Sequence, residues 1–116
     1  MLGSGNYRSR QEEISEIFRE FKELAKELDM PIILLSQLPR TTENREDHRP
    51  MLSDLAWFGD IGKICDVVMF LYRDEYYYLD TDKKGIAEVI VAKNPIGAVG
   101  CCELRYSYNT MKFVNI

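Results

Sequence analysis

Pro31-Ile32-Ile33-Leu34-Leu35-Ser36-Gln37 sets four consecutive apolar residues between a proline and a polar pair. A continuous apolar run of this length suits a strand buried on both faces, as in parallel sheets. A helical pattern stands directly before it, over residues 9–29. There Ile14, Ile17, Phe18, Phe21, Leu24, Ala25 and Leu28 recur at offsets 0, 3, 4, 7, 10, 11 and 14, the helical period. The opposite face carries Glu13, Glu16, Glu20, Lys22, Glu23, Lys26 and Glu27. Ser9 and Glu12 have the spacing of a capping box. Pro31 stops the helix, because the residue before a proline is pushed out of the α region. Helix, short turn and buried strand make the second half of a right-handed βαβ unit. The first strand of that unit is expected before Met1.

Downstream, residues 37–50 are polar and charged and read as a loop. Residues 53–66 predict one short helix broken by Gly59 and Gly62. Residues 67–73 read as a further apolar strand, and 74–84 as a Tyr- and Asp-rich connection. Strands are expected over 86–93, 101–106 and 111–116, with turns at Asn94-Pro95-Ile96-Gly97 and Tyr108-Asn109-Thr110. Their short links make the last three antiparallel neighbours. The predicted architecture is α/β: one long helix and about five strands, parallel strands first and antiparallel hairpins at the C-terminus. Strands buried on both faces need helices on both sides. One long helix leaves half of that covering layer missing.

Composition narrows the function classes. The chain has 116 residues, with 15 Lys and Arg against 19 Asp and Glu, a net charge of −4. That length holds one domain, and a 46% hydrophobic share is normal for a packed core. The acidic balance argues against nucleic-acid binding by bulk charge. Three cysteines, Cys65, Cys101 and Cys102, form no C-x-x-C pair, and His48 is the single histidine. A zinc site is therefore not expected. The thiols read as small buried hydrophobes of a reducing compartment, so the expected location is cytoplasmic. No apolar run reaches the roughly 20 residues of a membrane span, and no signal-peptide core is evident.

Several blocks, taken in order, resemble one family. They are Gln11-Glu12-Glu13-Ile14-Ser15-Glu16-Ile17, Leu24-Ala25-Lys26-Glu27-Leu28, Leu35-Ser36-Gln37-Leu38 and Arg49-Pro50-Met51-Leu52-Ser53-Asp54-Leu55. Asp66-Val67-Val68-Met69-Phe70-Leu71-Tyr72-Arg73-Asp74-Glu75-Tyr76-Tyr77, Gly85-Ile86-Ala87-Glu88, Lys93 and Phe113-Val114-Asn115 continue the series. Together they resemble the C-terminal part of the RecA-like ATPase domain of DnaB-type replicative DNA helicases, across nearly the whole chain. The resemblance implies ATP-dependent unwinding of duplex DNA in replication, with ATP and magnesium as the family's ligands. Residues 1–116 are then expected to be one truncated RecA-like domain. No glycine here opens the phosphate-cradling G-x-x-x-x-G-K-[ST] motif. The Walker B strand is expected just before Met1. Tight nucleotide binding and ATPase activity by this chain alone are therefore not expected.

The resemblance assigns site residues by position. Gln37, at the carboxyl end of the 31–36 run, matches a γ-phosphate-sensing glutamine, and Arg40 the arginine that follows it. Lys93 matches the first member of a Lys-x-Arg pair that reaches a neighbouring subunit's γ-phosphate. The third position here is Pro95, which has no cation to offer. Ala56-Trp57-Phe58-Gly59 matches a loop that contacts single-stranded DNA, with an Arg-Glu-Ser-Gly pattern in the family. Here the arginine has become Ala56, Gly59 is kept, and Lys63 closes the following Ile61-Gly62-Lys63. Trp57 offers a ring that stacks on a base. With the cation gone, packing against the core or a partner chain is the favoured reading. Tyr76-Tyr77-Tyr78 reads as phenols packed at a strand end rather than as a nucleotide edge.

Two other functions compete with the plain helicase fragment. One is a non-enzymatic module for oligomerisation or for contact with helicase subunits. The other is a decayed prophage helicase remnant. Single-stranded DNA binding is expected to be weak or absent, and no membrane association is expected. An uncovered apolar sheet face predicts self-association as a dimer or larger assembly.

Overall fold

The computed structural model describes residues 10–38, 46–58 and 61–116, without the side chains of residues 56–58. Helix α1 runs Arg10–Leu28, inside the span that the apolar period predicts. Ser9, the expected partner of Glu12, lies outside the described residues. The helix ends in a Schellman arrangement. The Met30 amide donates to the Ala25 carbonyl at 3.1 Å and the Asp29 amide to that of Lys26 at 3.3 Å. Asp29 takes φ 53°, and a left-handed residue there turns the chain off the helix axis. The stop is thus built before Pro31 is reached.

A 3₁₀ helix, Leu52–Phe58, and the single-turn helix α2, Ile61–Ile64, replace the one broken helix expected. Gly62 does not break α2. A Cβ there meets Leu55 only at ordinary contact, 3.8 Å. Strand β1, Val68–Tyr72, leads into helix α3, Asp74–Tyr77, an element the sequence reading lacks. The Thr81 hydroxyl donates to Asp74, the Tyr72 hydroxyl donates to Asp74 at 2.8 Å, and the Gly85 amide donates to Glu75. Arg73 Nη2 also donates to Glu75, at 3.0 Å. These bonds hold both carboxyls below their ordinary values, through Thr81 chiefly for Asp74 and the Gly85 amide chiefly for Glu75. They also tie the connection down onto β2. Gly85, at φ 73°, makes the left-handed turn into that strand.

Strands β2, Ile86–Lys93, β3, Gly100–Ser107, and β4, Lys112–Asn115, complete a sheet of order β1-β2-β3-β4. Every pairing is antiparallel. The hairpins expected at the C-terminus are present. The expected strand over 31–36 and the parallel start are not. Residues 31–38 have no regular secondary structure, so the described sheet has four strands rather than about five. An apolar run becomes a strand only where a neighbour takes its amides and carbonyls. The ladder here stops at β1, so residues 31–36 have no strand to join.

The core lies on one face of the sheet. Val68 and Phe70 of β1 meet Leu55 and Ile61, and Ile14 and Phe18 of α1 close over them with Ile90 and Ala92 of β2. The opposite face presents Met69, 57% exposed, and Leu71, 65% exposed, in register with Val91 and Val89. The missing half of the covering layer is this outer face. The radius of gyration, 16.4 Å, exceeds the roughly 13 Å of a compact domain of this length.

Candidate functional site

An open groove of about 590 Å³ runs between residues 34–38 and the edge of β1. One wall is Leu34, Leu35, Ser36, Gln37 and Leu38. The other is the line of residues 67–73, with Cys65, Ile61 and Leu55 below. Gln37 is exposed at this groove, with its carbonyl accepting from the Ser36 hydroxyl at 3.4 Å. Its amide side chain is therefore open to solvent-borne ligands on a mostly apolar wall. Arg40, its expected neighbour at a nucleotide, lies outside the described residues.

Lys93 stands at the far end of β2. Its ammonium donates to the carbonyls of Gly62 at 3.2 Å, Lys63 at 3.1 Å and Cys65 at 2.6 Å. The sequence reading placed Lys93 and Lys63 in separate sites. The fold joins them, through the Lys63 backbone. The Lys63 residue itself is exposed on α2. Burial pushes the Cys65 thiol up, and the Lys93 charge beside it works the other way. Trp57 lies on the 3₁₀ helix Leu52–Phe58, with its side chain outside the description. Gly59 lies outside it altogether.

The best-built polar cluster was not read from the sequence as a site. Arg49 grips Glu88 with two bonds, Nε to Oε1 at 3.1 Å and Nη2 to Oε2 at 2.7 Å. Its guanidinium also lies over the Tyr72 ring, 4.6 Å from the centroid. Tyr77 continues the stack between Tyr72, at 5.6 Å, and His48, at 4.3 Å and nearly parallel. The Cys101 thiol donates to Glu88 at 3.4 Å. Glu88 is 5% exposed, and Arg49 holds its carboxyl below the ordinary range. A signal was present in the sequence. A lone glutamate in the apolar strand Ile86-Ala87-Glu88-Val89-Ile90-Val91 needs a cation across from it. Of the tyrosine run, Tyr76 is 69% exposed, Tyr77 stacks, and the Tyr78 hydroxyl donates to the Glu46 carbonyl at 3.1 Å.

The sequence matches the profile of a family described as the DnaB-like helicase C terminal domain, over residues 1–115. The chain belongs to that family. It is 49% identical over 115 residues to the replicative DNA helicase DnaB of Geobacillus stearothermophilus, covering 98% of this chain and 25% of that one. The replicative DNA helicase DnaC of Bacillus subtilis (strain 168) gives the same identity and coverage. Among solved structures, an isolated ATPase domain superposes with a TM-score of 0.93 at 44% identity, over 98% of this chain and 40% of that one. A DnaB-like replicative helicase, solved in a study of its interactions with primase, superposes equally well over 28% of its chain. This DnaB-like chain thus spans about a quarter of the length of the helicases it matches. Its fold is part of their ATPase domain. Among the described residues no helix is long and apolar enough to cross a membrane.

Proposed function

We propose that these 116 residues form the C-terminal part of one RecA-like ATPase domain of a DnaB-like replicative DNA helicase, an ATP-driven duplex-unwinding enzyme of the cytoplasm. The observation that carries this reading is the unbroken match over residues 1–115. Gln37 and Arg40 belong to the nucleotide side, with Lys93 at the strand end where the family reaches for a neighbour's phosphate. Trp57, Gly59 and Lys63 belong to the DNA side. Self-association brings such sites together between copies.

The family's ATP and magnesium do not fit the residues present. The sequence has no phosphate-cradling loop with its lysine, and the groove beside Gln37 is walled mainly by apolar side chains. No step of hydrolysis is assigned to this chain alone, and single-stranded DNA binds it weakly at most.

A single-turnover ATPase assay of the 116-residue chain with single-stranded DNA is expected to show no turnover. Clear turnover overturns the reading. Grafting residues 1–115 in place of the matching stretch of the Bacillus subtilis relative supplies the positive arm. The graft is expected to assemble, with ATPase lowered by about 10³-fold because Pro95 replaces a trans-acting arginine. Pro95→Arg should restore much of it. A graft that does not assemble counts against the family role.

A further inference from the structure

Lys93 ends β2 where the ladder slips. Val68 faces Lys93 while Met69 faces Val91, so Ala92 and Lys93 together oppose one residue of β1. A β-bulge of this kind re-aims the side chain it carries. Strict alternation would send Lys93 to the outer face with Val89 and Val91. The bulge instead sets it across from Val68, which is buried on the inner face. There its ammonium meets the carbonyls of Gly62, Lys63 and Cys65. An ammonium has three N–H donors, and all three are engaged. The remaining carbonyl of that turn, on Ile64, accepts from Lys22 of α1 at 3.0 Å. Lys22 is held in turn by Asp66 at 3.2 Å. These are the carbonyls that a helix end leaves without intrahelical donors, at the pole that favours cations.

We infer that Lys93 is a positioning residue, which fixes where the segment 52–65 stands against the sheet by seating its ammonium on the Gly62, Lys63 and Cys65 carbonyls. Helix α2 is one turn, and its Cys65 amide donates to the Ile61 carbonyl at 2.9 Å. A single turn does not hold itself together in water. Ile61, 3% exposed in the core, fixes its start, and the two lysines fix its end. Lys93 thereby joins the end of β2 to the segment that carries Trp57 and Lys63. The consequence for DNA contact rests on the function proposed above. The carbonyl seat rests on the hydrogen bonds alone.

Nuclear magnetic resonance on the isotope-labelled full chain tests this. In the unmodified protein the Lys93 Nζ protons are expected to exchange more slowly than those of the exposed Lys26. Equal rates overturn the seat, with no variant needed. Lys93→Met is expected to speed exchange of the Cys65 amide about tenfold, the effect of losing hydrogen bonds to a charged donor. Methylammonium, which can occupy the vacated seat, should slow that exchange again. Tetramethylammonium, with the same charge and no N–H, should not. An unchanged Cys65 amide in the variant, or equal effects of the two salts, overturns the proposal. Adding an oligo-deoxythymidine separates the two claims. Shifts over residues 52–64 support the DNA reading. Their absence beside an intact Lys93 seat sinks that reading and leaves the positioning role standing.

Discussion

Glu88 keeps a negative charge on the inner face of an apolar strand, and Arg49 is the group that makes this tolerable. A buried carboxylate without a partner carries a heavy desolvation cost. Breaking a fully buried pair by truncating one member costs roughly 3–5 kcal/mol. The Arg49 side chain is 37% exposed, so solvent screens part of the interaction. Arg49→Met is therefore expected to destabilise by about 2 kcal/mol in urea denaturation, short of the fully buried figure. Acid gives an independent check. The folded Glu88 carboxyl lies below its ordinary value of 4.5, chiefly through the Arg49 hydrogen bonds. Its contribution is thus fully present above that ordinary value and is lost as pH falls through the depressed one. The urea midpoint should decline as pH falls below about 4.5, and more shallowly in Glu88→Gln, which has no proton to take up. Parallel declines in the two proteins would remove Glu88 from the acid response. The oddity of a glutamate in this strand was visible in the sequence, but its partner was not. Arg49 comes from 39 residues away, and no local pattern encodes that meeting.

Elements differ in how far local sequence dictates them. The period of α1 and the turn-punctuated hairpins of β2 to β4 are local, and both were legible. The Asp29 stop and α3 were not, because backbone and side-chain bonds around single residues make them. Residues 31–36 failed for another reason. Their sequence is that of a buried strand, yet Ile33 is 79% and Leu35 95% exposed. Whether such a run pairs depends on which strand lies beside it, and that information is not in the run. Gln37 was identified through the resemblance and does stand at the groove. The seat of Lys93 was hidden because it depends on a one-residue bulge in the ladder. A substitution separates the two views of 31–36. Leu35→Lys should change the chain's stability by no more than about 0.5 kcal/mol, as at other exposed positions. Phe70→Ala, in the core, should cost about 3 kcal/mol. A Leu35→Lys variant as damaged as Phe70→Ala would mean that residues 31–36 are buried in a paired strand after all.

At the scale of the molecule, the arithmetic of surfaces decides. One sheet face is covered and the other shows Met69, Leu71 and, on β4, Phe113 at 47% exposure. β1 is also an edge of the sheet, and an unprotected edge recruits another strand. Proteins that stay monomeric seldom leave a continuous apolar surface of this kind uncovered. A net charge of −4 gives little repulsion to oppose contact between copies. The chain on its own is therefore expected to associate through the outer face. Light scattering at tens of micromolar should give at least twice the 13.5 kDa of one chain. Association by mass action must also weaken on dilution, so the mass should fall toward the single-chain value as concentration drops. Charging the face tests its location. Met69→Lys with Leu71→Lys should return the mass to one chain while leaving the fold intact, because both side chains point away from the core. If the unmodified chain is a monodisperse monomer at that concentration, the outer face is not the driver. If the double variant still associates, the contact lies elsewhere, and the exposed side chains of residues 33–35 are the next surface to charge.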